Sequence, residues 1–138
     1  MLFAKKNNGP AANQIDTLIG RGTRIEGNIV FSGGVRVDGE ILGRVTAEPG
    51  ASSTLVLSEH ARIEGEVTVG HLIVNGTING PVHATEFLEM QPKARISGDV
   101  TYAMIEIQQG AVVEGRLLLT GKEPGLLTGK EPSQEKSD

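Results

Sequence analysis

Cysteine and tryptophan are absent from this chain, and its aromatic complement is one tyrosine and three phenylalanines. Without cysteine there is no disulfide and no thiolate metal site, and cysteine usage is silent on redox compartment. So little aromatic volume argues against the broad core of a globular enzyme. It suits a narrow interior of stacked Ile, Val, Leu and Ala. No apolar run approaches the roughly 20 residues that cross a bilayer. Lys5 and Lys6 are followed by no apolar stretch, so the start does not read as a secretory signal, and the expected compartment is the cytoplasm. Net charge is −4 over 138 residues, with both signs interspersed. No basic face forms, which excludes nucleic acid as an expected partner.

What is abundant is glycine, 19 in all, and most of it recurs at fixed positions. Six five-residue units share the pattern aliphatic, any, glycine, any, aliphatic. They are Ile25-Glu26-Gly27-Asn28-Ile29, Ile41-Leu42-Gly43-Arg44-Val45, Ile63-Glu64-Gly65-Glu66-Val67, Ile78-Asn79-Gly80-Pro81-Val82, Ile96-Ser97-Gly98-Asp99-Val100 and Val113-Glu114-Gly115-Arg116-Leu117. Their glycines are 16, 22, 15, 18 and 17 residues apart. That period is too long for a hairpin and too short for a two-helix repeat, so it predicts one coil of a solenoid.

Each coil divides into three short strands with two inward residues around an outward one. In one coil these are Ala61-Arg62-Ile63, Val67-Thr68-Val69 and Leu72-Ile73-Val74. Alternation of this kind is a strand signature. The short breaks between strands are corners, where glycine tolerates φ > 0. Gly27, Gly43, Gly65, Gly80, Gly98 and Gly115 are the structural corner glycines. Parallel stacking then sets up a first-strand column of Ile25, Ile41, Ile63, Ile78, Ile96 and Val113. The second is Ile29, Val45, Val67, Val82, Val100 and Leu117. Both carry the β-branched and aliphatic residues of a buried ladder. A column of small residues, Thr23, Gly39, Ala61, Gly76, Ala94 and Ala111, leaves room for large neighbours in a narrow interior. Outside, Arg44 falls beside Glu66 and Asp99 beside Arg116, favourable cross-strand pairs. Glu89 beside Glu106 breaks this rule. Val56 and Ile73 are outward neighbours, a small apolar stripe suited to bundling or docking.

The expected organisation is a flexible segment over 1–19, a β-helix over 20–120 and a disordered tail over 121–138. Residues 7–13, rich in Asn, Gly and Ala around Pro10, read as linker. Glu48 to Ser53 reads as an inserted loop. The tail carries a near duplication, Leu118 to Gly125 and Leu126 to Ser133, rich in Gly, Pro, Lys and Glu. At the start, Met1, Leu2 and Phe3 with Lys5 and Lys6 make a candidate membrane foot: apolar residues for the interface, cations for anionic headgroups. One foot holds poorly, and many on one polymer hold well.

Two solenoids compete. The left-handed β-helix of hexapeptide-repeat acyltransferases has a similar coil, and part of this chain shows six-residue spacing: Ile78, Ala84, Met90, Ile96, Tyr102. The spacing fails where Val69 to Leu72 and Tyr102 to Ile105 close corners with two residues, and variable coil length favours a right-handed parallel β-helix of about six triangular coils. Catalytic and ligand chemistry is missing. His60, His71 and His83 occupy different positions and form no carboxylate-paired or metal-spaced cluster. Only His83 could serve an acyltransferase. The glycines open no helix and make no phosphate loop. A carbohydrate-active β-helix would need a carboxylate or basic cluster on one face. No catalytic, cofactor or metal residue is therefore expected.

A short rod of coils leaves raw strand edges and an open apolar core at each end. No amphipathic helix is visible to cap either. The simplest cover is a second copy of the chain. The candidate faces are Ile19, Thr23, Ile25, Ile29 and Phe31 at one end, and Ile107, Val113, Leu117 and Leu119 at the other.

The sixfold pattern, the flanking segments and the Met-Leu-Phe-Ala-Lys-Lys start together resemble the bactofilins, bacterial cytoskeletal proteins. The resemblance covers residues 20–119 and extends to the terminal patch. It implies a compact right-handed β-helix that polymerises without nucleotide, head to head and tail to tail, into non-polar filaments. It also implies attachment to the inner face of the cytoplasmic membrane through the N-terminal apolar residues, and scaffolding of cell-wall or cell-shape proteins. Members of the family often place a phenylalanine at the C-terminal contact. Here none lies beyond Phe87, so aliphatic residues must make it.

Overall fold

A computed structural model describes residues 15–120. Within them the chain is sixteen parallel strands and no helix. Alternating aliphatic residues make the strands, and a break of a few residues turns the chain before each strand can lengthen. One face of the solenoid holds β1 (Thr17–Ile19), β4 (Gly33–Val37), β7 (Ser53–Leu57) and β14 (Ile105–Ile107). The second holds β2 (Arg24–Glu26), β5 (Glu40–Leu42), β8 (Arg62–Glu64), β10 (Thr77–Asn79), β12 (Arg95–Ser97) and β15 (Val112–Glu114). The third holds β3 (Ile29–Phe31), β6 (Val45–Ala47), β13 (Val100–Tyr102) and β16 (Leu117–Leu119). Two long strands, β9 (Val67–Val74) and β11 (Val82–Met90), run round the corner from the third face to the first, where their register shifts between Ala84 and Phe87. The result is a parallel β-solenoid of six three-sided coils.

The expected columns are the observed ones. Ile25, Ile41, Ile63, Ile78, Ile96 and Val113 are Cα partners in sequence, as are Ile29, Val45, Val67, Val82, Val100 and Leu117. On the first face Thr17, Val35, Leu55, Leu72, Leu88 and Ile105 stack, beside Ile19, Val37, Leu57, Val74, Met90 and Ile107. Inward residues of the middle coils, such as Ile63, Leu72, Ile78, Leu88 and Ile96, are wholly buried. Each contributes about 1.5–3 kcal/mol of hydrophobic stabilisation.

Three expectations need correction. The solenoid begins before residue 20: β1 pairs with β4, and its Ile19 carbonyl accepts the Asp38 N–H at 2.7 Å. In Thr17-Leu18-Ile19 the outward residue is apolar and only Ile19 is buried, and the strand lies outside the glycine motifs, so the repeat pattern passes over it. Ser53 is not loop. It is the first, buried residue of β7, and its Oγ accepts the Gly70 N–H at 2.9 Å. The small-residue column has two origins. Thr23, Ala61, Ala94 and Ala111 end four-residue corners, each N–H bonding back three residues to Gly20, Ser58, Gln91 and Gln108. Gly39 and Gly76 lie in two-residue corners, where backbone leaves no room. A Cβ on Gly76 would strike the Ser58 carbonyl and sit 2.6 Å from that of Ala61.

The repeat glycines answer a similar demand. A Cβ on Gly65 would strike the carbonyl oxygen of Gly43, one on Gly80 that of Gly65, and so along the column. Positive φ, +151° at Gly65, adds a second reason. Gly76→Ala should therefore cost more than about 2 kcal/mol in urea unfolding, by steric collision alone. Gly50, at φ +82° in the loop with nothing within 4 Å of a Cβ, should cost about 1 kcal/mol as Ala, from backbone strain only. Equal losses would contradict this reading of the corners.

Candidate assembly faces

In a solenoid every coil except the first and last is covered by its neighbours on both sides. The inward columns make this visible at the C-terminal tip. Ile107, Leu117 and Leu119 are 45 %, 43 % and 60 % exposed, whereas Met90 and Val100 one coil below are fully buried. Val113 is half-buried. The N-terminal tip is more closed: Ile25 and Ile29 are half-buried, Thr23 is exposed, and Ile19 and Phe31 are each 9 % exposed. The residues expected at each end thus sit together in one terminal coil, with the C-terminal set far more open.

The outward columns carry a signal that the sequence reading missed. Outside the third face the column runs Val30, Thr46, Thr68, His83, Thr101, Leu118. It is apolar only at its two ends. All the exposed large hydrophobic residues among those described lie in or beside the first coil (Ile15, Leu18, Val30) or in the last (Met104, Ile107, Leu117, Leu118, Leu119). A single outward Val or Leu means little in a sequence. Sorting outward residues by coil, rather than by strand, would have found the pattern.

Between the tips the surface is polar and locally paired. Arg116 donates to Asp99 Oδ2 at 2.8 Å, and its N–H to Oδ1 at 3.1 Å. These hydrogen bonds, the side-chain one foremost, hold the Asp99 carboxyl below its usual range. A hydrogen bond from Lys93 Nζ at 2.6 Å does the same for Glu59. Arg44 lies 3.9 Å from Glu66. Glu89 and Glu106 are indeed neighbours, and the structure supplies the reason they coexist. The Glu89 carboxylate accepts from Gln108 Nε2 at 3.0 Å and Gln91 Nε2 at 3.3 Å. Val56 and Ile73 pair as expected and are half-buried, flanked in their column by Arg36 and Glu89.

Each histidine stands near a carboxylate, contrary to expectation, although His71 Nδ1 makes no hydrogen bond. His83 Nε2 is 3.1 Å from Glu66 Oε2, His60 Nε2 3.5 Å from Glu59, and His71 Nδ1 3.7 Å from Glu86. Parallel stacking creates the His83 pair, since Val82 sits on Val67 and brings neighbouring residues of two coils together. Among the described residues no group of three or more His, Cys, Asp or Glu is placed to hold a metal ion, and no helix is long and apolar enough to cross a membrane. The candidate membrane residues Met1, Leu2, Phe3, Lys5 and Lys6 lie outside the described residues.

Comparison with known proteins agrees with this geometry. The profile of the family described as "Bactofilin: Polymer-forming cytoskeletal" matches residues 17–118. A curated relative, Bactofilin BacP of Myxococcus xanthus (strain DK1622), is 28 % identical over 123 residues. The match takes in 89 % of this chain and 50 % of the relative, so the chain spans about half its length. No solved structure matches significantly.

The depressed carboxyls carry a direction with pH. Their pairs stabilise the fold above the ordinary carboxylate range, and that contribution is lost as pH falls through the lowered folded values. In Arg116→Ala the Asp99 carboxyl should titrate higher than in the parent chain when followed by NMR. An unchanged midpoint would mean that the pair is not formed in solution.

Proposed function

The chain belongs to the bactofilin family of polymer-forming cytoskeletal proteins, and we propose that it polymerises through its two tips, like to like, into non-polar filaments without nucleotide. The observation that carries this reading is the confinement of exposed large hydrophobic residues, among the described residues, to the first coil and its margin and to the last coil. Water penalises such surface together with the open strand edges beside it. A second copy offers matching apolar surface, and a contact between identical tips is a closed two-fold one. Two different tips, each joining its own kind, alternate into an open filament without direction.

Charge favours like-to-like contact over a continued ladder. A first coil added in register above the last would set Glu26 above Glu114, since both fill the same outward position. Like charges directly opposite are unfavourable by a few tenths of a kcal/mol. The polymerisation residues we assign are Ile107, Val113, Leu117 and Leu119 at one tip and Ile19, Thr23, Ile25, Ile29 and Phe31 at the other. The role is structural rather than enzymatic.

We assign membrane attachment to Met1, Leu2 and Phe3 with Lys5 and Lys6, at the inner face of the cytoplasmic membrane. Many weak feet on one filament would sum to firm binding. Filaments held there would scaffold cell-wall or cell-shape proteins.

Purified chain should pellet at high speed without nucleotide and show filaments in negative stain. Leu117→Arg, or Val113→Arg, should keep the β circular dichroism of the parent while raising the pelleting concentration at least about thirtyfold, equivalent to roughly 2 kcal/mol per contact. Normal filaments from both variants would overturn the face assignment. Separately, Phe3→Glu should release assembled filaments from vesicles containing anionic lipid. Undiminished co-sedimentation would remove the foot.

A further inference from the structure

The first coil leaves three strand edges facing out of the N-terminal tip. Among the described residues β1, β2 and β3 pair only with β4, β5 and β6. The bonds to the second coil fix which backbone groups are left over. The carbonyls of Ile19, Thr23 and Phe31 accept from the N–H groups of Asp38, Glu40 and Glu48, and the N–H groups of Gly27 and Ile29 donate to Leu42 and Arg44. Alternate residues of a strand direct their N–H and C=O to opposite edges. The peptide groups of Leu18, Arg24, Glu26 and Val30 therefore point out of the tip. The same four residues carry side chains that are exposed on the outside of the rod.

Height decides how a second copy can cover these edges. One coil climbs one ladder spacing, about 4.8 Å. β1 is thus the outermost edge, β3 the innermost, and β2 lies between them. A two-fold contact across the tip sets one strand antiparallel to itself and exchanges the other two. With β2 on the axis, the protruding β1 meets the receding β3 of the second copy, and all three gaps close together. With β1 on the axis the other two edges stand about one spacing too far apart, and with β3 on it they overlap by as much.

We infer that the N-terminal tips join about a two-fold axis through Ile25, with β2 antiparallel to itself and β1 antiparallel to β3 of the second copy. Arg24 then faces Glu26 twice, and Leu18 faces Val30 twice. In each of these pairs the outward-pointing peptide groups exchange hydrogen bonds, charge meets opposite charge, and apolar meets apolar. Ile25 faces Ile25 and Ile19 faces Ile29, so the core continues through the junction. At the C-terminal tip the same construction opposes Glu106 to Leu118, and the inference is confined to the N-terminal one. It rests on the like-to-like reading and names the pairs that make that contact specific.

The chain has no cysteine, so introduced thiols report the contact directly. Directly opposed Cα atoms of a hydrogen-bonded antiparallel pair lie about 5.5 Å apart, within disulfide range. Leu18→Cys mixed with Val30→Cys should oxidise to a cross-linked pair, and neither should cross-link alone. Arg24→Glu and Glu26→Arg should each raise the pelleting concentration at least about fivefold, because like charges then oppose each other twice. The double exchange should return it to within about twofold of the parent. Within one chain these side chains form only exposed pairs, Arg24 3.4 Å from Glu26 and 3.9 Å from Glu40, so the fold should bear the changes. Circular dichroism below the pelleting concentration checks that it does. A cross-link in Leu18→Cys alone or in Val30→Cys alone overturns the assigned axis. So does a double exchange no better than the single ones, or pelleting with no link in the mixture. A link between Val30→Cys and Leu118→Cys puts unlike tips together and overturns the like-to-like reading itself. A parent chain that never pellets sinks the polymer, and the link between positions 18 and 30 still decides the N-terminal contact.

Discussion

Everything in this molecule depends on the distance between one coil's backbone and the next. Parallel ladder bonds hold successive coils about 4.8 Å apart, and the corners must close at that spacing too. The glycine column is where the requirement is tightest. Each glycine of the column packs on the carbonyl of the one before, from Gly43 on Gly27 to Gly115 on Gly98. A side chain at any of these points would wedge two coils apart and cut three ladders at once. The backbone stack therefore dictates where the glycines stand, and the aliphatic columns fill the space that remains.

The same constraint makes the outer surface self-consistent. Stacking at fixed register places each residue beside its counterpart one coil away, so charge and hydrogen bonding must be settled column by column. Asn28 and Asp99 accept an N–H from the next coil, at Arg44 and Arg116. Asn75 does so at another corner, from Lys93. Glu89 and Glu106 are the one awkward step, and two glutamines absorb it. Local balance of this kind leaves no large field of either sign.

Legibility followed the same division. The period, the inward columns and their register were readable, because burial in a parallel ladder imposes the same residue class at the same place six times. Val56 beside Ile73 and Asp99 beside Arg116 came from register alone. What escaped depended on single coils. β1 lacks the glycine motif, so it was passed over. Ser53 looked like loop because its neighbours are Ala51 and Ser52, and only the Gly70 N–H across the coil shows why a hydroxyl is buried there. The approaches of His83 to Glu66 and of His71 to Glu86 went unseen because each spans two coils. The apolar ends of the outward columns were overlooked because exposed positions had been read strand by strand as solvent-facing.

That last point bears on how such a rod can evolve. Coils in a solenoid touch only their nearest neighbours, so a change at Leu118 or Val30 costs the fold at most one interface. Thr46, Thr68 and Thr101 hold the same outward position in the middle coils. An apolar residue there would be tolerated by the ladder, since Val shares the β-branching of Thr and the end position itself accepts Leu118. The fold thus gives no reason for Val and Leu to occupy only the two ends of that column. The difference between end and middle coils is one of outward chemistry, not of ladder geometry. At the two ends the outward residues Val30 and Leu118 and the inward residues Ile29 and Leu117 stand side by side in one strand each, so apolar surface on the outside adjoins the margin of the core.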